Sequence, residues 1–163
     1  MKTLPNFEYQ KFESRRDARS ALDTAIESAV SSIALYDRDG DFYGLERPVV
    51  ASHLKQLLRN NPNAVIKLIL QHVHHIQRDC PRLLELNQIF GERFEMRRLD
   101  ENLRNFKRGI LLIDQSLVMR RPHFDQLTTF WDTGEQEISD AQRLLTELRD
   151  SSPESLQSSA TGL

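Results

Sequence analysis

The chain has 163 residues, 39% of them hydrophobic and 28% charged, with a formal net charge of −2. That composition fits one soluble domain with its own core, leaves little room for a second, and excludes a chain too polar to fold. The single cysteine, Cys80, excludes an intrachain disulfide, no apolar leader follows the first charged residues, and no apolar run is long enough for a membrane span, so a cytoplasmic protein without membrane contact is expected.

Residues 1–14, with Pro5 and scattered aromatics, read as an arm. The segment SRRDARSALDTAIESAVSSI places Ala18, Leu22, Ala25, Ile26, Ala29 and Val30 on one face of a helix, with Ser14 as its cap. SSIALYD follows as a strand and DRDGDFYG as a loop. ERPVVASHLKQLLRN is a second helix, with Pro48 at its start and Val50, Leu54, Leu57 and Leu58 facing inward. AVIKLIL, residues 64–70, is apolar on nearly both faces, which places it in the covered interior of a sheet. QHVHHIQRDCP reads as loop, and RLLELNQIFG as a helix between Pro81 and Gly91. RFEMRRLD alternates as an edge or near-edge strand, ENLRNFKRG is a polar loop, and GILLIDQSLVMRR is a hairpin turning at Asp114 to Ser116. TTFWDTG supplies a last short strand, and SDAQRLLTELRD a helix capped by Ser139. One α/β domain over residues 15–150 and a flexible tail over 151–163 are therefore expected.

Charge is unevenly spread along this order. Between Arg93 and Arg121 there are eight Arg and Lys against four acids, a net of +4. From Pro122 onward there are eight acids against Arg143 and Arg149, a net of −6. The first stretch is a candidate anion-facing surface.

The layout, and above all NFKRGILLIDQSLVMRRPHF, resembles one half of the phospholipase D superfamily. There a His-x-Lys, four residues and an Asp end one apolar strand, and a partner strand closes with Gly-Ser and an Asn. Here Asp114 takes the Asp position, Gly109 the lysine position and Lys107 the histidine position. Using Lys107 as the lysine instead puts Asn105 at the histidine, and Arg121-Pro122 replaces Gly-Ser. Neither register supplies the imidazole that would form a phosphohistidine. The resemblance implies a layered half-domain with a central mixed, mostly parallel sheet between helices. It implies a non-catalytic role in binding, assembly or regulation, directed at a phosphate-bearing ligand. Because such sites combine two halves, it also implies a homodimer.

The residues expected to hold the ligand are Asp37, Arg47, His72 and His74 at the sheet edge, with Arg104, Lys107 and Arg108 from the basic loop. A competing expectation is an enzyme acting on a phosphodiester or nucleotide, with His72, His74 or His123 as base or nucleophile and Asp114 as a reused acid. A third is weak, sequence-independent nucleic-acid binding through residues 93–121. The acidic C-terminal part and the lack of a recognition helix argue against nucleic acid as a partner.

Neither metal nor cofactor is expected. The acids of DRDGDFYGLE alternate, but Phe42 stands where a calcium loop needs glycine, and Glu46 is tenth where it needs a twelfth-position Glu. His72, His74 and Cys80 lack the spacing of a strong metal motif. The clustered aromatics Phe124, Phe130 and Trp131 suggest the homodimer interface, unless Phe7, Tyr9 and Phe12 of the arm cover them within one chain.

Overall fold

The computed structural model describes residues 7–152 and 154–156. Eight strands form a single sheet: β1 (Gln10–Phe12), β2 (Ser32–Asp37), β3 (Val65–Leu70), β4 (Phe94–Arg98), β5 (Gly109–Ile113), β6 (Leu117–Arg121), β7 (Thr129–Asp132) and β8 (Glu154–Ser155). Their order across the sheet is β1-β7-β6-β5-β2-β3-β4-β8. The helices are α1 (Arg15–Ser28), α2 (Pro48–Asn60), α3 (His74–Asp79), α4 (Pro81–Phe90) and α5 (Glu135–Asp150).

Strand periodicity explains the layers, because alternate side chains leave opposite faces of a sheet. Ile33, Leu35, Ile66, Leu68, Leu111 and Ile113 join the apolar faces of α1, α2 and α4 in one core. Tyr36, Ile69, Ile110 and Leu112 point the other way, onto Ala141, Leu145 and Leu148 of α5. All five residues of β5 are buried, as befits a strand covered on both faces. The layered α/β arrangement is thus as expected. Parallel pairing is narrower than the "mostly parallel" expectation, since only β2–β3 and β3–β4 run parallel. The reason is local: β5, β6 and β7 follow one another through short connections that reverse the chain each time.

Three other differences have physical causes. The histidine segment expected to be loop contains α3, a short helix without amphipathic period that buries His75 and Ile76. α5 begins at Glu135, four residues before Ser139, where Gly134 N donates to Asp132 Oδ1 at 2.9 Å. Both flanks of the domain enter the sheet: β1 pairs with β7, and β8 pairs with β4. Of the tail expected to be flexible, residues 153 and 157–163 lie outside the described residues.

The arm decides the fate of the aromatics. Phe7 and Phe12 meet the Trp131 ring edge-on at 4.7 and 4.9 Å, and Tyr9 lies 5.9 Å from Phe130. Phe124 is buried at 6.0 Å from Tyr36. The expected homodimer interface is therefore covered from within the chain, and the argument for a homodimer through these residues falls.

Asp114 sits at the far edge of the sheet from the strand ends that carry Asp37 and Leu70. Its carboxylate accepts from Val30 N at 2.9 Å, Ser31 N at 2.7 Å, Ser31 Oγ at 3.0 Å and Ser32 N at 3.0 Å. Asp114 and Gln115 both have positive φ, 53° and 57°, and Ser116 N donates to Ile113 O at 2.9 Å, as in the turns that suit a twisted hairpin. One carboxylate thus fastens the β5–β6 turn to the α1–β2 connection. Asp114→Ala is expected to cost about 2–4 kcal/mol, because it strands these donors and places alanine at positive φ. Asp114→Asn, which tolerates that backbone and keeps one oxygen, should cost about half as much. Urea unfolding of the three proteins measures the difference; equal stability would refute this role.

Candidate functional site

The parallel strands β2, β3 and β4 end at the same edge where β5 begins and β6 ends, since Tyr36 faces Ile110 and Gly109 faces Arg121. In open α/β sheets this carboxyl edge is where ligands bind. Its centre here is a buried pair. Asp37 is fully buried and Arg121 is 6% exposed, and Arg121 Nη1 lies 3.6 Å from Asp37 Oδ1. That separation is a Coulombic contact without hydrogen-bond geometry, and Oδ1 has no hydrogen-bond partner among the described residues. Oδ2 accepts from Gly40 N at 3.0 Å. The Arg121 guanidinium donates to Phe124 O and stacks 3.7 Å from the centre of the Phe42 ring.

Burial pushes the Asp37 carboxyl up to about 6, against the lowering influence of Arg121 and of backbone donors. Burial also lowers Arg121, although Asp37 opposes it. Both partners thus shift toward their neutral forms, which says that desolvation outweighs their attraction.

The pair lies against the position that matters most to the resemblance. A Cβ on Gly109 would lie 3.3 Å from Tyr36 O, 3.4 Å from Asp37 Oδ1 and 3.5 Å from Arg121 Cβ. A side chain here would press on the Tyr36 carbonyl and come into van der Waals contact with Asp37 and Arg121. Lys107, two residues earlier, is exposed.

Around this plug lies a cationic rim. The loop from residue 99 to 108 is tied down from beneath by buried Gln71, whose Nε2 donates to Arg104 O at 3.0 Å, Phe106 O at 2.8 Å and Tyr36 Oη at 2.9 Å. Tyr36 Oη donates in turn to Phe106 O at 2.6 Å, and burial holds this phenol above its ordinary range. The loop presents Lys107 and Arg108 to solvent, the latter 4.8 Å over the Phe106 ring. Arg104 pairs with exposed Glu101 at 3.4 Å, while its buried Nε has no hydrogen-bond partner among the described residues. A concavity of about 200 Å³ between strand end and loop is lined by Gln71, His72, His74, Arg98 and Arg104. His72 titrates below its ordinary value, through burial and then through the positive charge of Arg104 and Arg38.

The expected residues therefore divide. His72, His74, Arg104, Lys107 and Arg108 share this edge. Asp37 is sealed beneath it. Arg47 is committed elsewhere, paired with Asp23 at 2.7 and 2.8 Å and donating to Tyr43 O and Gly44 O. Neither Asp37 nor Asp114 contacts a histidine among the described residues, and His123 Nδ1 accepts from its neighbour Asp125 N at 3.0 Å. The basic stretch is also split. Arg93 donates to Leu58 O, Asn61 O and Ala64 O at the opposite edge, and Arg120 pairs with Glu137 at 3.3 Å. Sequence reasoning missed Arg121 as the centre of the site, and missed a meeting of Asp41, Glu46 and His75.

A family described as Domain of unknown function (DUF7931) matches residues 14–151. The chain belongs to the DUF7931 family. Among curated proteins no relative matches. Two solved structures share the fold of this DUF7931 domain. TrmBL2, an archaeal chromatin protein with a novel mode of DNA binding, superposes with a TM-score of 0.66 at 18% identity. The match covers 91% of this chain and 54% of that one, so the DUF7931 chain spans about half the length of TrmBL2. NucT from Helicobacter pylori gives a TM-score of 0.64 at 13% identity, over 91% of this chain and 99% of its own. At these identities the likeness is one of fold. It nonetheless corrects the expectation against nucleic acid as a partner: that expectation rested on a missing recognition helix, and a DNA-binding chromatin protein shares this fold. No helix among the described residues is long and apolar enough to cross a membrane.

The plug has a signature in pH. Asp37 holds its proton more tightly when folded than an ordinary aspartate, which titrates at 3.8. Its stabilising contribution is complete below about pH 4 and is lost as pH rises through about 6. Asp37→Asn, which mimics the protonated form, should therefore gain stability relative to wild type between those values. Chemical denaturation of both proteins across that range reads the difference, and a relative loss for the variant would contradict the burial of Asp37.

Proposed function

We propose that this is a non-catalytic phospholipase D-like domain that binds the phosphate backbone of nucleic acid through the carboxyl edge of its sheet. The observation that carries the reading is the exchange at Gly109. Where the resemblance calls for a catalytic lysine, Gly109 stands against the Asp37–Arg121 pair, while Arg104, Lys107 and Arg108 supply positive charge at the same edge. A phosphodiester approaching this edge meets donors and cations, and neither Asp37 nor Asp114 orients an imidazole toward it among the described residues. TrmBL2, which shares the fold, is a DNA-binding protein, and that supports nucleic acid as the ligand. Guanidinium and ammonium groups on a loop suit phosphate oxygens and carry no base code, so binding is independent of sequence.

The test is a titration of labelled single-stranded and duplex oligonucleotides, followed by anisotropy at low and near-physiological salt. Binding should be present at low salt and fall steeply as salt rises, in proportion to the phosphates neutralised. The triple variant Arg104→Glu, Lys107→Glu, Arg108→Glu should reduce affinity at least tenfold and flatten the salt slope. Arg59→Glu, in the last turn of α2 at the opposite edge, should change little. Absence of binding at low salt, or tight binding to one sequence that survives high salt, would overturn the proposal. Turnover of a chromogenic phosphodiester that is abolished by His72→Ala or His123→Ala would overturn its non-catalytic part.

A further inference from the structure

The loop between β2 and α2 packs against the Asp37–Arg121 pair through Gly40 and Phe42, and the rest of it is firmly built. Gly40 and Gly44 take positive φ of 89° and 67°, and Leu45 N closes onto Gly40 O at 3.1 Å. Arg19 of α1 donates to Phe42 O at 2.9 Å and Asp41 O at 2.8 Å, fixing the loop from below. This curl brings Asp41 and Glu46 toward His75 on the first turn of α3. One ligand atom from each of the three lies within 4.8 Å of the others.

His75 supplies the independent observation. It is 9% exposed, and its Nε2 is buried without a hydrogen-bond partner among the described residues. That atom lies 3.3 Å from Glu46 Oε1, a distance without hydrogen-bond geometry. Its other nitrogen, Nδ1, lies 3.2 Å from Asp79 Oδ2, one helical turn away. A histidine that binds metal through one nitrogen commonly donates the other to a carboxylate, which fixes the tautomer and orients the ring. With Asp79 accepting from Nδ1–H, the Nε2 lone pair is left free on the side of Glu46, within 4.8 Å of a carboxylate oxygen from each of Asp41 and Glu46.

We propose that Asp41, Glu46 and His75 form a binding site for a divalent transition-metal ion of the zinc or manganese class, with Asp79 orienting the imidazole. The donor set selects the class. One imidazole nitrogen and two carboxylates suit borderline ions, whereas calcium and magnesium favour oxygen donors alone. The two negative charges at the rim offset the ion's charge. Three protein ligands leave further coordination positions for water. Asp41 is exposed at the mouth, giving the ion a path in. Such an ion would join the β2–α2 loop to α3.

The experiment uses the full chain, stripped with chelator and titrated with zinc, manganese, cobalt, magnesium and calcium by calorimetry, with thermal unfolding in parallel. One zinc or manganese ion per chain is expected, with a raised melting temperature that equal magnesium or calcium does not reproduce. Cobalt should give a visible spectrum lacking a thiolate charge-transfer band, which separates this site from the nearby buried Cys80. Asp41→Asn and Glu46→Gln keep size and hydrogen bonding, and each should weaken zinc at least tenfold while leaving the metal-free melt unchanged. Asp79→Asn should weaken it about 10–100-fold. Absence of saturable zinc or manganese binding would overturn the proposal and leave His75 as an ion-pair partner of Glu46 and Asp79. Binding that is unaffected by Asp41→Asn and Glu46→Gln, or that shows a thiolate band, would also overturn it.

Discussion

Arg121 reaching beneath the sheet edge to Asp37 is the contact on which the rest of this site depends. It comes from the last residue of β6, crosses to the end of β2, and lies against the Phe42 ring of the following loop. A guanidinium desolvated over an aromatic face contributes on the order of 2 kcal/mol. Its attraction to Asp37 adds less than burial costs, as the shifts of both groups toward neutrality show. The pair therefore acts through occupancy. It lies in contact with the Gly109 position, and Asp37 Oδ2 accepts from Gly40 N at the start of the loop carrying Asp41 and Glu46. A phosphodiester site of the resembled kind needs that volume open. Here the Asp37–Arg121 pair lies against that position, beside a charged rim.

Much of the fold was legible in the sequence because burial on both faces leaves a strong signal. AVIKLIL read as an interior strand and GILLI as one arm of a hairpin, and both are packed between two layers. The helices α1, α2 and α4 carried apolar residues at helical spacing and met the same core. The elements that escaped are those whose stability is tertiary. β1 is three residues long and exists because Trp131 and Phe130 offer a surface for Phe12 and Tyr9. α3 has six residues and no period, and it is helical where Ile76 fills a core position. The strand direction was harder still: one parallel triple and a run of reversals leave similar apolar runs in sequence.

The site was legible in part. The polar loop before β5 and the histidines after β3 are recognisable because charge in a connection between buried strands has to face solvent. Whether eight cations share a surface depends on their partners. Arg93 is consumed by carbonyls at the end of α2, Arg120 by Glu137 and Arg121 by Asp37, and none of those partners is near in sequence. Asp114, which stands both in the hairpin turn and at the acid position of the resembled pattern, serves the backbone of residues 30–32. His75 differs from His72 and His74 only in burial, which periodicity cannot supply for so short a helix. A cluster drawn from a loop, a helix start and a six-residue helix has no spacing rule by which to be found.

The central claim is that the heart of this edge is closed to water by a buried ion pair. Its most direct measurement is the titration of the Asp37 side-chain carboxyl carbon by nuclear magnetic resonance, in protein labelled at aspartate and assigned with Asp37→Asn. The account predicts a midpoint near 6, set by burial, with Arg121→Met raising it further as the lowering charge of that guanidinium is removed. A midpoint at or below the ordinary aspartate value of 3.8, unmoved by Arg121→Met, would mean that solvent reaches the carboxylate and that the position is open.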